Sequence, residues 1–157
     1  MKQHGPQLAL RLDAAPPDSA APWCAGGRIV YLGAPLTLVL DTACRAPERV
    51  AGELHLPLPP GVSARQIRDA AESWLRDAAL ALFEHIALQK SALAGRRSPH
   101  ITLMLGRCND WVRNDGGVLR CHWRLIEQPQ AIIEQVLGHA LAEMLPTPAC
   151  DDLFALV

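Results

Sequence analysis

A helical periodicity in the middle of the chain constrains its fold more than any other feature of the sequence. Ser63 and Gln66 have the spacing of a capping box, and apolar residues then recur at helical intervals. The pattern predicts one long helix that begins at Ser63, runs to about Ala94 and stops near Gly95. Its apolar positions are Ile67, Ala70, Ala71, Trp74, Leu75, Ala78, Leu82, Phe83 and Ile86.

Short apolar runs before this helix predict β-strands. Residues 28–31 and 36–40 are separated by a turn at residues 33–35, and together they predict a β-hairpin. Residues 53–58 predict a third strand, which the following prolines end.

The remainder of the chain predicts two more strands and a second helix. Residues 101–105 are expected to form a buried strand, and residues 118–125 a strand paired across a turn at residues 115–117. The second helix opens at Pro129 and is ended by Pro146. Its apolar stripe is Ile132, Ile133, Val136, Leu137, Ala140, Leu141, Met144 and Leu145.

Composition limits the class of protein. The 157 residues suit one domain, and half of them are apolar, which is enough for a core. A net charge of −1 excludes a globally basic nucleic-acid binder. No apolar run has the length of a membrane span, and the N-terminus does not read as a signal peptide. Five cysteines without a C-x-x-C pair indicate free thiols, so we expect a cytoplasmic protein.

A series of short motifs spans the second half of the chain. Trp111 is followed by Cys-His-Trp-Arg-Leu-Ile at residues 121–126, Pro129, and Val-Leu-Gly-His-Ala-Leu-Ala-Glu at residues 136–143. This order resembles the YgjP-like zinc metallopeptidases, relatives of the SprT-like and WLM proteins and of the minigluzincins. The motifs of that family read W-G-S-C, L-N-W-R-L-I, P, V-V-x-H-E-L-A-H and, near the end of the chain, N-H-S-x-x-F-W.

The resemblance extends upstream and implies a fold. Residues 27–40 look like the N-terminal hairpin of the family, and Trp-Leu-Arg-Asp-Ala at residues 74–78 looks like its W-L-R-x-x-A helix. The resemblance therefore implies a minigluzincin-like α+β domain over residues 27–157, preceded by a loosely structured lead-in at residues 1–26. A small, mostly antiparallel sheet is expected to pack on the long helix and on the former zinc-site helix.

The same resemblance implies that the hydrolytic centre has been lost. An H-E-x-x-H helix places two zinc-binding histidines on one face, with the glutamate as general base. Here Ala140 occupies the position of the general base, Glu143 that of the second ligand and Ala149 that of the third. Only His139 remains, so we expect no catalytic residue and no cofactor.

A rearranged metal site is the first alternative. His139 and Glu143 form an i, i+4 pair, and Cys150 or Asp151 could supply a third zinc ligand. The protein would then be a zinc-dependent hydrolase with altered ligands.

Several other cysteines, histidines and tryptophans are expected to have structural or surface roles. Cys108, Cys121 and His122 do not have a zinc-binding spacing, and Cys121 is expected to point inward as a small hydrophobe. Trp111 and Trp123 are expected in the core, because the resemblance places them in structural motifs. The remaining histidines are interpreted as surface or loop residues: His4, His55, His85 and His100.

Charge distribution gives the second alternative. Residues 96–124 contain six arginines and two aspartates, a local charge of +4, whereas residues 125–157 contain five acids and no Lys or Arg. A nucleic-acid-associated module would use Arg113, Arg120 and Arg124.

The leading hypothesis is a non-catalytic metallopeptidase-like protein that binds a peptide or protein partner in the former substrate cleft beside a sheet edge.

Overall fold

The computed structural model describes residues 23–144, which contain two α-helices, one 3₁₀ helix and seven strands. The strands are β1 (Arg28–Tyr31), β2 (Ala34–Leu40), β3 (Glu48–Val50), β4 (Glu53–Leu56), β5 (His100–Met104), β6 (Val112–Asp115) and β7 (Val118–His122). The helices are α1 (Ala64–Leu93), the 3₁₀ helix (Trp123–Glu127) and α2 (Gln130–Met144). The α+β class predicted from the sequence is therefore confirmed.

The strands form two sheets, each with parallel and antiparallel pairs, where the sequence predicted one mostly antiparallel sheet. The first has the order β1-β2-β4-β3 and the second the order β5-β7-β6. The described chain divides into two compact units, residues 23–30 with 35–74 and residues 31–34 with 75–144. The pairs β2–β4 and β5–β7 are parallel because other segments of the chain connect them, and local alternation of apolar residues does not reveal such pairs.

In the first unit, alternate residues of the two central strands form the core. Leu36 and Leu38 of β2 and Leu54 and Leu56 of β4 are buried. The other face of this parallel pair carries Val39 and its register partner His55. Strand β3 was not predicted, because all three of its residues are exposed and lack an apolar alternation.

The first hairpin turns one residue earlier than predicted. Leu32 and Gly33 are the two turn residues, with φ of 51° and 76°, and β2 already begins at Ala34. A two-residue turn with positive φ at both positions suits the twist of a hairpin. Pro35 therefore lies inside the strand, but pairing of β2 with β4 begins only at Thr37.

Helix α1 confirms the predicted long helix at both ends. The Gln66 backbone N–H donates to Ser63 Oγ at 3.2 Å, and the Ser63 backbone N–H donates to Gln66 Oε1 at 3.0 Å. At the other end Gly95 has a φ of 65°, and the Arg96 N–H donates to the Ser91 carbonyl at 2.8 Å. This is the bonding of a Schellman cap.

In the second unit, the predicted strand over residues 118–125 was too long. Strand β7 ends at His122, and the chain then forms the 3₁₀ helix. Local hydrogen bonds replace the strand ladder here: the Arg124 N–H donates to His122 Nδ1 at the start of the 3₁₀ helix, and the Gln128 N–H donates to the Leu125 carbonyl at its end.

Helix α2 begins one residue after Pro129, as predicted, but its buried stripe is narrower than the apolar pattern. Ile133, Leu137 and Leu141 are buried, whereas Ile132 is 42 % exposed. In the part of the chain from residue 23 to residue 144, neither helix is both long and apolar enough to span a membrane.

Candidate functional site

The two candidate ligands on α2 lie one helical turn apart on its exposed face. His139 Nε2 and Glu143 Oε1 are 3.2 Å apart, and the two side chains are 77 % and 70 % exposed. Ala140, which the resemblance places at the position of the general base, is half-buried and is not part of the buried stripe. Ala149, which the resemblance places at the position of the third ligand, and the possible replacements Cys150 and Asp151 lie outside the described residues. Within residues 23–144, no third His, Cys, Asp or Glu joins this pair to make a three-ligand group.

The two tryptophans of the motif series have different environments. Trp123 is buried, as expected, and the Arg76 and Arg124 guanidinium groups each lie 5.3 Å from its ring centroid. Trp111 was expected in the core but is 43 % exposed. It immediately precedes edge strand β6. Its ring packs edge-on against the His122 ring, with the ring centroids 6.2 Å apart.

His122 is held by backbone atoms on both ring nitrogens. Its Nδ1 accepts from the Arg124 N–H at 3.2 Å, and its Nε2 donates to the Gly106 carbonyl at 2.9 Å. This pattern selects the neutral tautomer with the proton on Nε2. Cys121 is fully buried, which confirms that it points inward as a small hydrophobe. Neither residue therefore presents a ligand atom to an ion.

An open pocket of about 330 Å³ lies at the start of β6. Its lining residues are Cys108, Asn109, Asp110, Trp111, His122, Arg124 and Glu127. Strand β6 pairs only with β7 among residues 23–144, so no strand is bonded to its outer edge. The His122 N–H donates to the Trp111 carbonyl at 2.8 Å, and by the alternation of an antiparallel ladder the N–H groups of Val112 and Asn114 point away from β7.

The three arginines proposed for nucleic-acid binding are engaged within the protein. Arg113 lies 3.4 Å from Asp110, and Arg120 lies 3.3 Å from Asp115. Arg113 and Arg120 are register partners on β6 and β7, and Arg124 lies over Trp123. Two of the three charges are thus partly neutralised by neighbouring carboxylates.

A second cluster, in the first unit, consists of Asp41, Cys44 and His55 and was not found from the sequence. One ligand atom from each residue lies within 4.8 Å of the others. The Asp41 backbone N–H donates to the Leu56 carbonyl at 2.9 Å, which fixes Asp41 beside the end of β4. The Ala43 N–H donates to Asp41 Oδ1 at 2.9 Å, and this Asx turn brings Cys44 back toward Asp41.

The cluster could not be found by spacing, because parallel pairing brings it together. His55 lies on β4 opposite Val39, and Asp41 lies two residues further along the same face of the sheet. The only sequence signal was a histidine two residues from Glu53 in a predicted strand, together with a cysteine three residues after an aspartate. Neither pattern is specific without the pairing of β2 and β4.

Hydrogen bonds in the cluster converge on one carboxylate oxygen. The Cys44 thiol donates to Asp41 Oδ2 at 3.4 Å, and His55 Nδ1 lies 3.2 Å from the same oxygen. The Ala43 N–H, and then the His55 and Cys44 donors, hold the pKa of Asp41 below its usual value. Partial burial, and then the neighbouring Asp41 carboxylate, raises the pKa of Cys44. The hydrogen bond to Asp41 raises the pKa of His55.

This arrangement does not suit nucleophilic catalysis. In a cysteine–histidine pair the imidazole takes the thiol proton, and the resulting thiolate attacks. Here the thiol donates to Asp41 instead, and the raised pKa of Cys44 disfavours the thiolate in the ion-free protein. The three side chains do place one oxygen, one sulfur and one nitrogen atom within 4.8 Å of one another.

Comparison of the chain with models of protein families, with curated proteins and with solved structures finds no significant match. The resemblance to the YgjP-like metallopeptidases therefore rests on the sequence motifs alone.

Proposed function

We propose that this chain is a non-catalytic relative of the YgjP-like metallopeptidases, with a minigluzincin-like fold, that binds an extended peptide along strand β6. The order of elements supports the relationship, since a hairpin, a long helix bearing residues 74–78, a β-hairpin and the His139 helix follow one another as in that family. The absence of a general base at Ala140 supports the loss of hydrolysis.

The unpaired outer edge of β6 in the described chain is the observation that carries the proposed binding mode. An extended peptide adds to such an edge through main-chain hydrogen bonds, and side-chain pockets beside the edge supply specificity. The N–H groups of Val112 and Asn114 point outward, and the 330 Å³ pocket opens at the start of the strand. The exposed ring of Trp111 provides an apolar contact where a peptide side chain would enter this pocket.

The charge of this surface favours a peptide over a nucleic acid as its partner. The ion pairs of Arg113 with Asp110 and of Arg120 with Asp115 reduce the charge available to a nucleic-acid backbone. A peptide needs less positive charge on the surface that binds it, because its main chain is neutral and forms hydrogen bonds with the strand edge.

The test uses two substitutions at one residue of the edge. Peptides are first selected on the full chain from a random display library, and their Kd values are measured by fluorescence polarisation. Asn114→Pro removes the outward N–H and places a ring on the edge, whereas Asn114→Ala keeps the N–H. Both variants lose the bond from the Gly117 N–H to Asn114 Oδ1, so that loss is matched.

We expect Asn114→Pro to weaken peptide binding by about tenfold or more, and Asn114→Ala to stay within about threefold of the unchanged chain. Trp111→Ala is expected to weaken the same peptides. Equal binding by the two Asn114 variants would rule out pairing along β6. A library that yields no binding peptide would remove the proposed function.

A further inference from the structure

We propose that Asp41, Cys44 and His55 form a binding site for a zinc-class divalent cation, which is separate from the former peptidase centre and independent of the proposed peptide-binding function. All three residues belong to the first unit, and their ligand atoms lie within 4.8 Å of one another. His139 and Glu143 take no part in this site.

The spacing of the ligand atoms is close to that of a tetrahedral zinc site. With zinc–sulfur bonds of about 2.3 Å and zinc–nitrogen or zinc–oxygen bonds of about 2.0 Å, tetrahedral angles place sulfur and oxygen about 3.5 Å apart and nitrogen and oxygen about 3.3 Å apart. In the cluster, Cys44 Sγ lies 3.4 Å and His55 Nδ1 lies 3.2 Å from Asp41 Oδ2. Two of the three ligand pairs therefore already have the spacing of a zinc site, and the third pair, Cys44 Sγ and His55 Nδ1, lies within 4.8 Å.

The outer nitrogen of His55 is already oriented as in many metal sites. His55 Nε2 lies 3.1 Å from Glu53 Oε2, while Nδ1 faces the cluster. A ligating histidine commonly donates its other N–H to a carboxylate, which fixes the ring and makes the ligating nitrogen more basic. Glu53 would hold His55 with Nδ1 deprotonated and aimed at the ion.

The charge around the cluster favours a cation. His55 has Asp41 and Glu53 on its two ring nitrogens, and its register partner on β3 is Glu48. Side chains of register partners project to the same face of a sheet, so Glu48 adds a third negative charge to that face. When the ion binds, the Cys44 thiol proton and the proton on His55 Nδ1 both leave to solvent, and the thiolate becomes the fourth negative group.

The ligand types select among divalent ions. A thiolate and an imidazole suit zinc and related transition metals, whereas magnesium and calcium prefer sites made entirely of oxygen ligands. Three protein ligands leave a fourth coordination position open to water or an anion. The side chains of His55 and Asp41 are 21 % and 33 % exposed, so an ion can reach the cluster from solvent.

The experiment uses the full chain, purified without a histidine tag and stripped with a chelator. Cobalt(II) is titrated in while the near-ultraviolet thiolate-to-cobalt charge-transfer band is recorded, and zinc is then added as a competitor. Cys44→Ser and His55→Ala remove ligands. Cys24→Ser, His85→Ala and His139→Ala are the matched controls, since Cys24, His85 and His139 lie outside the cluster.

We expect about one cobalt per chain with a thiolate band that zinc abolishes. Cys44→Ser should lose the band, His55→Ala should weaken binding by about tenfold or more, and the three controls should bind as the unchanged chain does. Circular dichroism checks that the variants fold, and zinc should raise the Tm of the unchanged chain but not of Cys44→Ser.

Failure to bind cobalt at micromolar concentration would overturn the proposal, as would a thiolate band that persists in Cys44→Ser. Binding that disappears in His139→Ala would also overturn it and would locate the metal at the former peptidase helix. None of these results depends on peptide binding at β6, so the two proposals can fail separately.

Discussion

At the scale of single residues, Cys121 combines full burial with a strongly raised pKa. Its side chain is fully buried on β7, and burial raises the pKa of the thiol to about 12 from an ordinary value of 9.0. A thiolate is costly in this apolar setting because the surrounding core offers no solvation to the charge. Cys121 therefore stays a neutral thiol in the folded protein at physiological pH.

This burial predicts an alkaline loss of stability. The pKa of Cys121 is higher in the folded state than in the unfolded state, so between pH 9 and pH 12 the thiol is ionised only in the unfolded chain. The contribution of the neutral thiol to the free energy of unfolding is therefore fully present below pH 9 and is lost as the pH rises toward 12. The free energy of unfolding should fall by up to about 1.4 kcal/mol per pH unit in this window. Urea unfolding at pH 8 and pH 10 measures the effect.

Cys121→Ala provides the control for this measurement. The substitution leaves a small cavity whose cost is the same at both pH values, so only the pH dependence is compared. The difference in stability between pH 8 and pH 10 should be smaller in Cys121→Ala than in the unchanged chain. Equal pH dependence in the two proteins would mean that the Cys121 thiol ionises in the folded state much as it does in the unfolded state.

Residue-level reasoning from the sequence found part of the candidate chemistry and missed the rest for a physical reason. His139 and Glu143 were identified as a pair because helical spacing is local, and the structure places them 3.2 Å apart. His55 was interpreted as a surface or loop residue, yet it lies on β4 between two carboxylates. Its partner Asp41 is 14 positions away, and only the parallel pairing of two strands brings them together.

At the scale of the elements, the turn of the first hairpin is constrained by close contact as well as by its backbone conformation. The Leu32 N–H donates to the Ile126 carbonyl and the Gly33 N–H to the Glu127 carbonyl, each at 2.9 Å. A Cβ atom on Gly33 would lie 2.9 Å from Pro129 Cγ, closer than side chains approach. The positive φ therefore favours glycine at this position, and the contact with Pro129 leaves no room for a Cβ atom.

A pair of glycine substitutions separates these two requirements. Gly117 is also the second residue of a two-residue turn with positive φ, but a Cβ atom there would meet nothing within 4 Å. We expect Gly117→Ala to cost about 1 kcal/mol from the backbone alone, and Gly33→Ala to cost a further 1–3 kcal/mol, roughly, from overpacking. Urea denaturation measures both. Equal costs would show that the chain around Pro129 relaxes without penalty.

The elements that the sequence predicted well are those with local chemical signals at their ends. The capping box at Ser63 and the glycine at Gly95 defined α1 almost to the residue, and Pro129 defined the start of α2. Strand β3 and the 3₁₀ helix were missed because neither shows a regular apolar period. Their conformations depend on β4 and on burial of residues 123–126, and these contacts are not local in the sequence.

At the scale of the whole molecule, the uneven distribution of charge does not by itself create a basic binding surface. The arginine-rich segment carries its own aspartates at positions 110 and 115, and the structure pairs both with arginines. Exposed pairs of this kind contribute little to stability, about 0–1 kcal/mol, but they lower the local potential. The net charge of −1 for the chain is consistent with such internal compensation.

The proposed relationship to the metallopeptidases can be tested by introducing the ligands of that family on and after α2. The variant carries Ala140→Glu, Glu143→His and Ala149→His in a Cys44→Ser background, which removes the metal site proposed in the first unit. The side chains at positions 139 and 143 already meet at 3.2 Å, so histidines at both positions can share an ion. The histidine introduced at position 149 supplies the third ligand if the motif order of the family holds.

We expect this variant to bind about one zinc per chain, measured by elemental analysis after dialysis. Adding His139→Ala should abolish that binding. If the restored chain takes up no zinc although circular dichroism shows it folded, residue 149 does not approach α2 as the motif order requires, and the minigluzincin-like assignment is wrong.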